Sequence, residues 1–279
     1  MTAPVLAIVL SAAFLHSLWN ALVKGSADRA VILGLISLGH VVPAVILAFW
    51  LPLPPVEAWP YLVASTVIHW GYYYLLNLAY RLGDLSVVYP MARGAGPLLV
   101  ALGAQVWANE YLSGWAWAGI CTISAGIFLL ARPSRFGAPP PLPGLLAGLA
   151  TALSVAAYSI VDGIGVRIDD AALSYICWLF ILEITVAGYL LFTRRARVAA
   201  LTRKTLLLGF CGGLTSGGAY ALALYAKTLA PIGMVSALRE TSVIFAALIG
   251  VFWFGEGPRA PRIGSALIVA VGIAIIATN

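Results

Sequence analysis

Residues 88–110 read VYPMARGAGPLLVALGAQVWANE, and residues 234–256 read MVSALRETSVIFAALIGVFWFGE. Each is a largely apolar run of membrane-spanning length that carries an arginine as its sixth residue and closes with a tryptophan and a glutamate. Laid over each other without a gap, residues 74–131 and 220–277 superpose Arg93 on Arg239, Trp107 on Trp253, Glu110 on Glu256, Gly126 on Gly272 and Arg81 on Lys227. Helices rich in Leu, Ala and Gly resemble one another by composition, but charges and tryptophans in ungapped register point to duplication. WNALVKG at residues 19–25 also echoes YSIVDG at residues 158–163, with a register ambiguous by one residue.

The composition says what is being duplicated. The chain has 279 residues, 62% hydrophobic and 9% charged, against roughly one-quarter charged in soluble domains. Its mean hydropathy is +0.99. Runs of about 17–25 apolar residues bounded by Pro, Gly or charge predict ten transmembrane helices. They cover 4–23, 30–51, 58–80, 85–107, 113–131, 143–162, 171–192, 204–226, 231–254 and 261–278. The first is read as a helix and not a signal peptide, since no basic segment precedes it and the apolar run fills a span. The expected architecture is an all-α polytopic membrane protein, with residues 1–135 and 136–279 as two five-helix halves of one membrane domain. An odd number of spans per copy sends the second copy in from the opposite side. That makes an inverted repeat, whose substrate site is expected between the halves near the midplane.

The net charge of +6 lies in short loops, where it reads as a topology signal and not as a nucleic-acid surface. Of sixteen Lys and Arg, twelve fall after odd-numbered helices: Lys24, Arg29, Arg81, Arg132, Arg135, Arg194, Arg195, Arg197, Arg203, Lys204, Arg259 and Arg262. Arg167 and Lys227 are assigned to the other loops. The positive-inside rule then places both termini outside. Cys121, Cys177 and Cys211 stand singly in apolar runs, with no metal, redox or disulfide spacing. No P-loop, HExxH or GxSxG motif occurs, so neither direct ATP use nor an enzyme is expected, and no cofactor is implied.

Arg93 lies about 12 Å into its helix, near the midplane. A guanidinium there costs at least about 2.5–3.5 kcal/mol and is expected to face a cavity or a partner. Pro90, Gly94, Gly96 and Pro97 predict a kinked or partly unwound helix around it. A fixed cation beside freed carbonyls suits a substrate carboxylate or phosphate, or else holds the two halves together. Arg239 is its repeat counterpart. Glu240, about 100° round the helix from Arg239, is expected to bridge to Arg93, to meet a substrate ammonium or to carry a coupling proton. His16 and Asn20 share one helix face, as do Tyr73 and Asn77. With Trp19, Tyr89 and Tyr220, these residues complete the candidate cavity wall. His40 and Glu183 are mid-span candidates for proton relay or for packing, and Glu110 and Glu256 for capping helix ends or anchoring loops. The glycine clusters at 144–148, 209–213 and 217–218 suit close, sliding backbone contact.

Ten helices in a five-plus-five inverted repeat, with LHSLWNALVK at 15–24, Tyr89-Pro90 and Pro97 in the fourth helix, and Glu110 and FGE at 254–256, resemble the EamA-type drug/metabolite transporters. The resemblance covers nearly the whole chain. It implies a secondary transporter, often an exporter of amino acids or other small metabolites, with a cavity lined by helices one, three, four, six, eight and nine. Such proteins sit in the bacterial inner membrane, and their habit of placing both termini in the cytoplasm opposes the charge count. The expected partners are a small-molecule substrate, the lipid bilayer and, as a candidate, a coupling proton. Sugar, nucleoside or multidrug transport, or a non-transporting sensor or assembly subunit, stand as alternatives.

Overall fold

Short polar residues start several of the helices. Asp28 accepts from the Val31 amide, Ser113 from Ala116 and Thr202 from Thr205, each at 3.2 Å, the usual N-cap geometry. The computed structural model describes residues 1–23, 28–83, 85–130, 142–255 and 259–278. Every regular element among them is helical. In order they are α1 (Ala3–Val23), α2 (Arg29–Ala48), α3 (Trp59–Leu82), α4 (Leu85–Trp107), α5 (Gly114–Phe128), α6 (Leu142–Gly165) and α7 (Ala172–Leu182). There follow α8 (Ile184–Thr193), α9 (Arg195–Ala199), α10 (Arg203–Leu229), α11 (Ile232–Arg239), α12 (Ser242–Leu248) and α13 (Arg259–Thr278), with a π-helical turn at Ile249–Trp253 after α12.

Among the described residues, seven helical stretches are long and apolar enough to cross a membrane: Ala3–Val23, Val31–Ala48, Leu142–Gly165, Ala172–Thr193, Arg203–Leu229, Ile232–Trp253 and Ala260–Thr278. Two of these contain a break, α7 to α8 at Glu183 and α11 to α12 at Glu240–Thr241. Helices α3 and α4 are long but diluted by His69, Asn77 and a run of tyrosines in one, and by Arg93, two prolines and three glycines in the other. Helix α5 has 15 residues, about 22 Å at 1.5 Å each.

The unwinding expected at residues 90–97 is not there. Helix α4 runs unbroken with Pro90 and Pro97 inside it, as membrane helices allow when neighbours re-satisfy the freed groups. The interruption lies instead in the repeat-related segment. There the Glu240 amide donates to Ala237 O and that of Thr241 to Leu238 O, each at 3.0 Å. Side-chain hydroxyls add to these tightened i to i−3 bonds at the break. Thr241 Oγ1 takes the Leu238 carbonyl at 2.5 Å, and Ser17 Oγ, from α1, takes that of Ser242 at 2.7 Å.

Packing runs mainly between α1 and α10, α3 and α6, α4 and α6, α5 and α13, and α2 with α10, α7 and α8. One buried cluster joins Val9, Ile120, Ile123, Val235, Leu238 and Val269. A second joins Leu62, Tyr175, Phe180 and Leu224 at the α2–α7 side. Large apolar side chains such as Val67, Leu102, Val106 and Leu267 are exposed, with Trp50, Trp107, Trp115 and Trp253 at or near helix ends. That surface suits lipid tails with an aromatic girdle.

Glycines set the tightest contacts. A Cβ at Gly213 would lie 2.4 Å from Ile36 O and 2.7 Å from Gly39 Cα, so α2 and α10 touch backbone to backbone. We expect Gly213→Ala to cost about 1–3 kcal/mol, lowering the thermal midpoint in detergent by about 2–12 °C. Gly188→Ala, where nothing lies within 4 Å, should leave the midpoint in place; equal effects from both would refute this contact's role.

Candidate functional site

Helix α4 and the break between α11 and α12 meet at a charged pair. Arg93 Nη2 stands 3.0 Å from Glu240 Oε2 and donates to Ser242 Oγ at 2.9 Å. The break makes this possible by turning Glu240 and Ser242 toward α4 from consecutive short helices. Arg93 Nε is buried with no hydrogen-bond partner among the described residues, and the Glu240 contact is an ion pair without hydrogen-bond alignment. The pair therefore keeps unsatisfied valence, which a ligand carrying both charges can fill.

Beside it lies a cavity of about 640 Å³ whose wall includes His16, Ser17 and Asn20 of α1, Tyr89 and Pro90 of α4, Ser242, Ala246 and Gly250 of the broken span, and Phe254 and Arg262. That volume falls in the range of small-molecule sites, about 300–1,000 Å³. Its wall is drawn from the end of the bundle where α1 finishes and α4 and α13 begin. The opposite end is bolted. Arg167 Nη1 meets Glu110 Oε1 at 2.7 Å, Nε donates to Lys227 O at 2.6 Å and Nη2 to Ala230 O at 2.9 Å. Glu110 Oε2 also accepts from the Ile232 amide at 2.7 Å, a carboxylate at the start of α11 where the helix dipole favours it.

A second polar group lies between α3, α6, α7, α10 and α11. Arg239 packs over the Tyr220 ring at 5.4 Å. Tyr220 and Tyr175 donate to Asp162 Oδ2 and Oδ1 at 2.5 and 3.0 Å. His69 stacks on Tyr158 at 4.3 Å, and Lys227 Nζ donates to Ser159 O at 2.8 Å.

The expected residues therefore divide. Arg93 and Glu240 meet, with His16, Asn20 and Tyr89 in the neighbouring wall; Arg239 and Tyr220 belong to the second group. Trp19 packs toward Val31, Ile32, Leu35 and Ile36 of α2 while its Nε1 reaches His16 Nδ1 at 3.3 Å, so it braces the cavity wall from behind and does not line it. Tyr73 lies against Tyr72, and Asn77 is exposed away from the cavity. His40 and Glu183, read separately in the sequence, are partners at 2.7 Å across α2 and the α7–α8 break. Lys227 is corrected: it is not a loop residue but a wholly buried member of α10. Glu110 caps and anchors, while Glu256, Lys24, Arg132 and Arg135 lie outside the described residues. Cys121 and Cys211 are exposed and Cys177 is buried.

Asp162, Tyr158, Tyr175, Ser17 and Ser242 are the polar residues that sequence reasoning passes over. Asp162 had a signal, since it stands in the stretch that echoes the first helix, but it falls at the end of the predicted span, where a carboxylate reads as a solvated helix end. The serines had none, because isolated hydroxyls are common in membrane helices.

Residues 142–278 match the model of the EamA-like transporter family. The second half of the chain is an EamA-like domain of the drug/metabolite transporter superfamily. The EamA family is one of transporters, not enzymes, and with the apolar helices it makes this an integral, multi-pass membrane protein. The EamA-like half supplies Glu240 and Ser242, and the preceding half supplies Arg93 and Ser17, so the charged pair ties the two together. In fold, the chain is similar to a protein solved as a crystal structure, with a TM-score of 0.75, 20% identity and 99% of each chain covered. No curated protein matches the chain in sequence.

Proposed function

We propose that this protein is a secondary transporter that moves a small metabolite, an amino acid or similar zwitterion, by alternating access of two inverted five-helix repeats. The observation that carries the reading is the buried Arg93–Glu240 pair, unsatisfied at both partners and placed beside a polar-floored cavity. A substrate carboxylate replaces Glu240 on Arg93, its ammonium takes Glu240, and His16, Asn20 and Ser17 supply hydrogen bonds. Export is the direction that the family resemblance favours, at the expense of a proton gradient or by exchange.

In this reading α3, α4 and α5 also cross the bilayer, giving ten spans. Helix α5 is apolar and falls short only in length, while α3 and α4 are diluted by polar and small residues, of which His69 and Arg93 face other helices. The packing of α5 on α13 supports the repeat. A Cβ at Gly119 would lie 2.8 Å from Gly272 O, and Ser265 Oγ donates to Gly126 O at 2.5 Å. In the ungapped register that puts Arg93 on Arg239, Gly119 falls on Ser265 and Gly126 on Gly272, so the two contacts exchange under the duplication. With Lys227 buried, Arg167 is left among the described residues as the loop cation opposing the twelve, and it is itself partly buried and paired. This supports a cytoplasmic basic end and a cavity that faces it.

A second reading, transport of nucleosides, sugars or amphipathic drugs, is favoured by the apolar remainder of the wall: Ile127, Leu130, Val243, Ile249 and Phe254. Purified protein in proteoliposomes should give saturable, protein-dependent flux of a labelled amino acid. Flux confined to nucleosides, sugars or cationic dyes would select the second reading, and flux of no class would support a sensor.

A further inference from the structure

We propose that Lys227, with Asp162, forms the proton-binding site that couples transport to the proton gradient, loaded from the end of the bundle bolted by Glu110 and Arg167. This rests on the transporter reading above and adds to it a site separate from the substrate pair.

Lys227 on α10 and Asp162 on α6 are both completely buried, and neither serves Arg93 or Glu240. Both stand near the C-terminal ends of their helices, and Lys and Asp side chains are almost never fully buried unless paired. Their bonding differs from that of a structural bridge. Lys227 Nζ has three donors when charged and one acceptor, Ser159 O at 2.8 Å. The Asp162 oxygens are taken by Tyr175 and Tyr220, and no ion pair joins the lysine to the aspartate among the described residues. Arg167, by contrast, has all three of its nitrogens engaged. One cation is fastened and the other is held loosely enough to exist with or without its proton. Only the lysine has that chemistry, since a guanidinium does not release its proton in proteins. The repeat counterpart, Arg81, is exposed at the end of α3.

Position links the two tasks. The backbone carbonyl of Lys227 is an acceptor of the Arg167 bolt, so releasing that bolt uncovers the turn that carries the amine. On its inner side Asp162 binds Tyr220, over which Arg239 packs, next in sequence to Glu240. The charged and titratable groups facing Lys227 are thus Asp162 from α6, Arg239 from α11, Arg167 and Glu110 from the bolted end, Tyr175 from α7 and Tyr220 on its own helix. With the bolt open, the amine nitrogen takes one proton from hydronium, forming an N–H bond as an O–H bond breaks. With the bolt closed and the cavity open, the ammonium returns it to water.

The chain has three lysines, Lys24, Lys204 and Lys227, so isotope-labelled lysine gives three side-chain NMR signals, and the one lost in Lys227→Met is assigned. From about pH 5 to about pH 11, that signal should titrate reversibly and apart from the other two, and Asp162→Asn should displace its midpoint. A Lys227 signal in one protonation state across the range, or one indifferent to Asp162→Asn, overturns the proposal. In vesicles loaded with a pH dye and given a mixture of common amino acids, Lys227→Met and Lys227→Arg should each lose at least tenfold in substrate-driven proton movement; wild-type movement in either overturns it. Absence of labelled amino-acid flux in the wild-type protein would sink the amino-acid reading alone, while the titration still decides the proton site.

Discussion

Replacing Arg93 with Ala should abolish flux and lower stability by about 3–5 kcal/mol, because it leaves the buried Glu240 carboxylate without its ion-pair partner. The side chain of Glu240 is 9% exposed and its Oε2 has no other partner among the described residues. Ser242 Oγ loses its donor in the same step. The two consequences separate in a double mutant. Adding Glu240→Gln removes the orphaned charge and should recover most of the lost stability, yet flux should stay absent, since neither substrate charge has a partner. Thermal unfolding in detergent and proteoliposome flux make the two measurements. Flux in Arg93→Ala at the wild-type level would remove the pair from the substrate site, and a stability loss that Glu240→Gln leaves unchanged would show that the cost lies in packing.

The same pair shows what the sequence could and could not convey. An intramembrane arginine and its repeat counterpart are visible because both are costly and fall in one register, and Glu240 is visible beside the second. Their grouping is not. Arg93 and Arg239 share a register, but the span is whole in α4 and broken at Glu240–Thr241 in its counterpart, so one guanidinium meets a carboxylate and the other a tyrosine ring. Proline and glycine content pointed to α4 as the broken helix. Tertiary donors decided otherwise: Ser17 supplies the carbonyl partner that stabilises the break at Ser242, and nothing local to either segment announces it. Lys227 was misread for a simpler reason. A helix boundary set three residues early moves a buried cation into a loop, and the charge then counts toward topology when it belongs to the interior.

Removing the bolt should be as visible in accessibility as removing Arg93 is in flux. Glu110→Ala deletes both the Arg167 ion pair and the carboxylate cap on Ile232. A hydrogen bond to a charged group is worth about 1.5–3 kcal/mol, which shifts a two-state equilibrium by roughly tenfold to a hundredfold or more. Ser236 reports the shift: it lies on α11 between the bolt and the charged pair, is buried, and its hydroxyl has no partner among the described residues. In a background with Cys121, Cys177 and Cys211 replaced by Ser or Ala, Ser236→Cys should react slowly with a membrane-impermeant maleimide applied at the Glu110 end. Adding Glu110→Ala should speed labelling at least tenfold, while labelling from the cavity end falls. That reciprocity distinguishes alternating access from local fraying, because a frayed helix end becomes more reactive from its own side without closing the other. Faster labelling from both ends would reduce the Glu110–Arg167 contact to a structural clamp. No change from either end would mean that Glu110 does not hold that face shut.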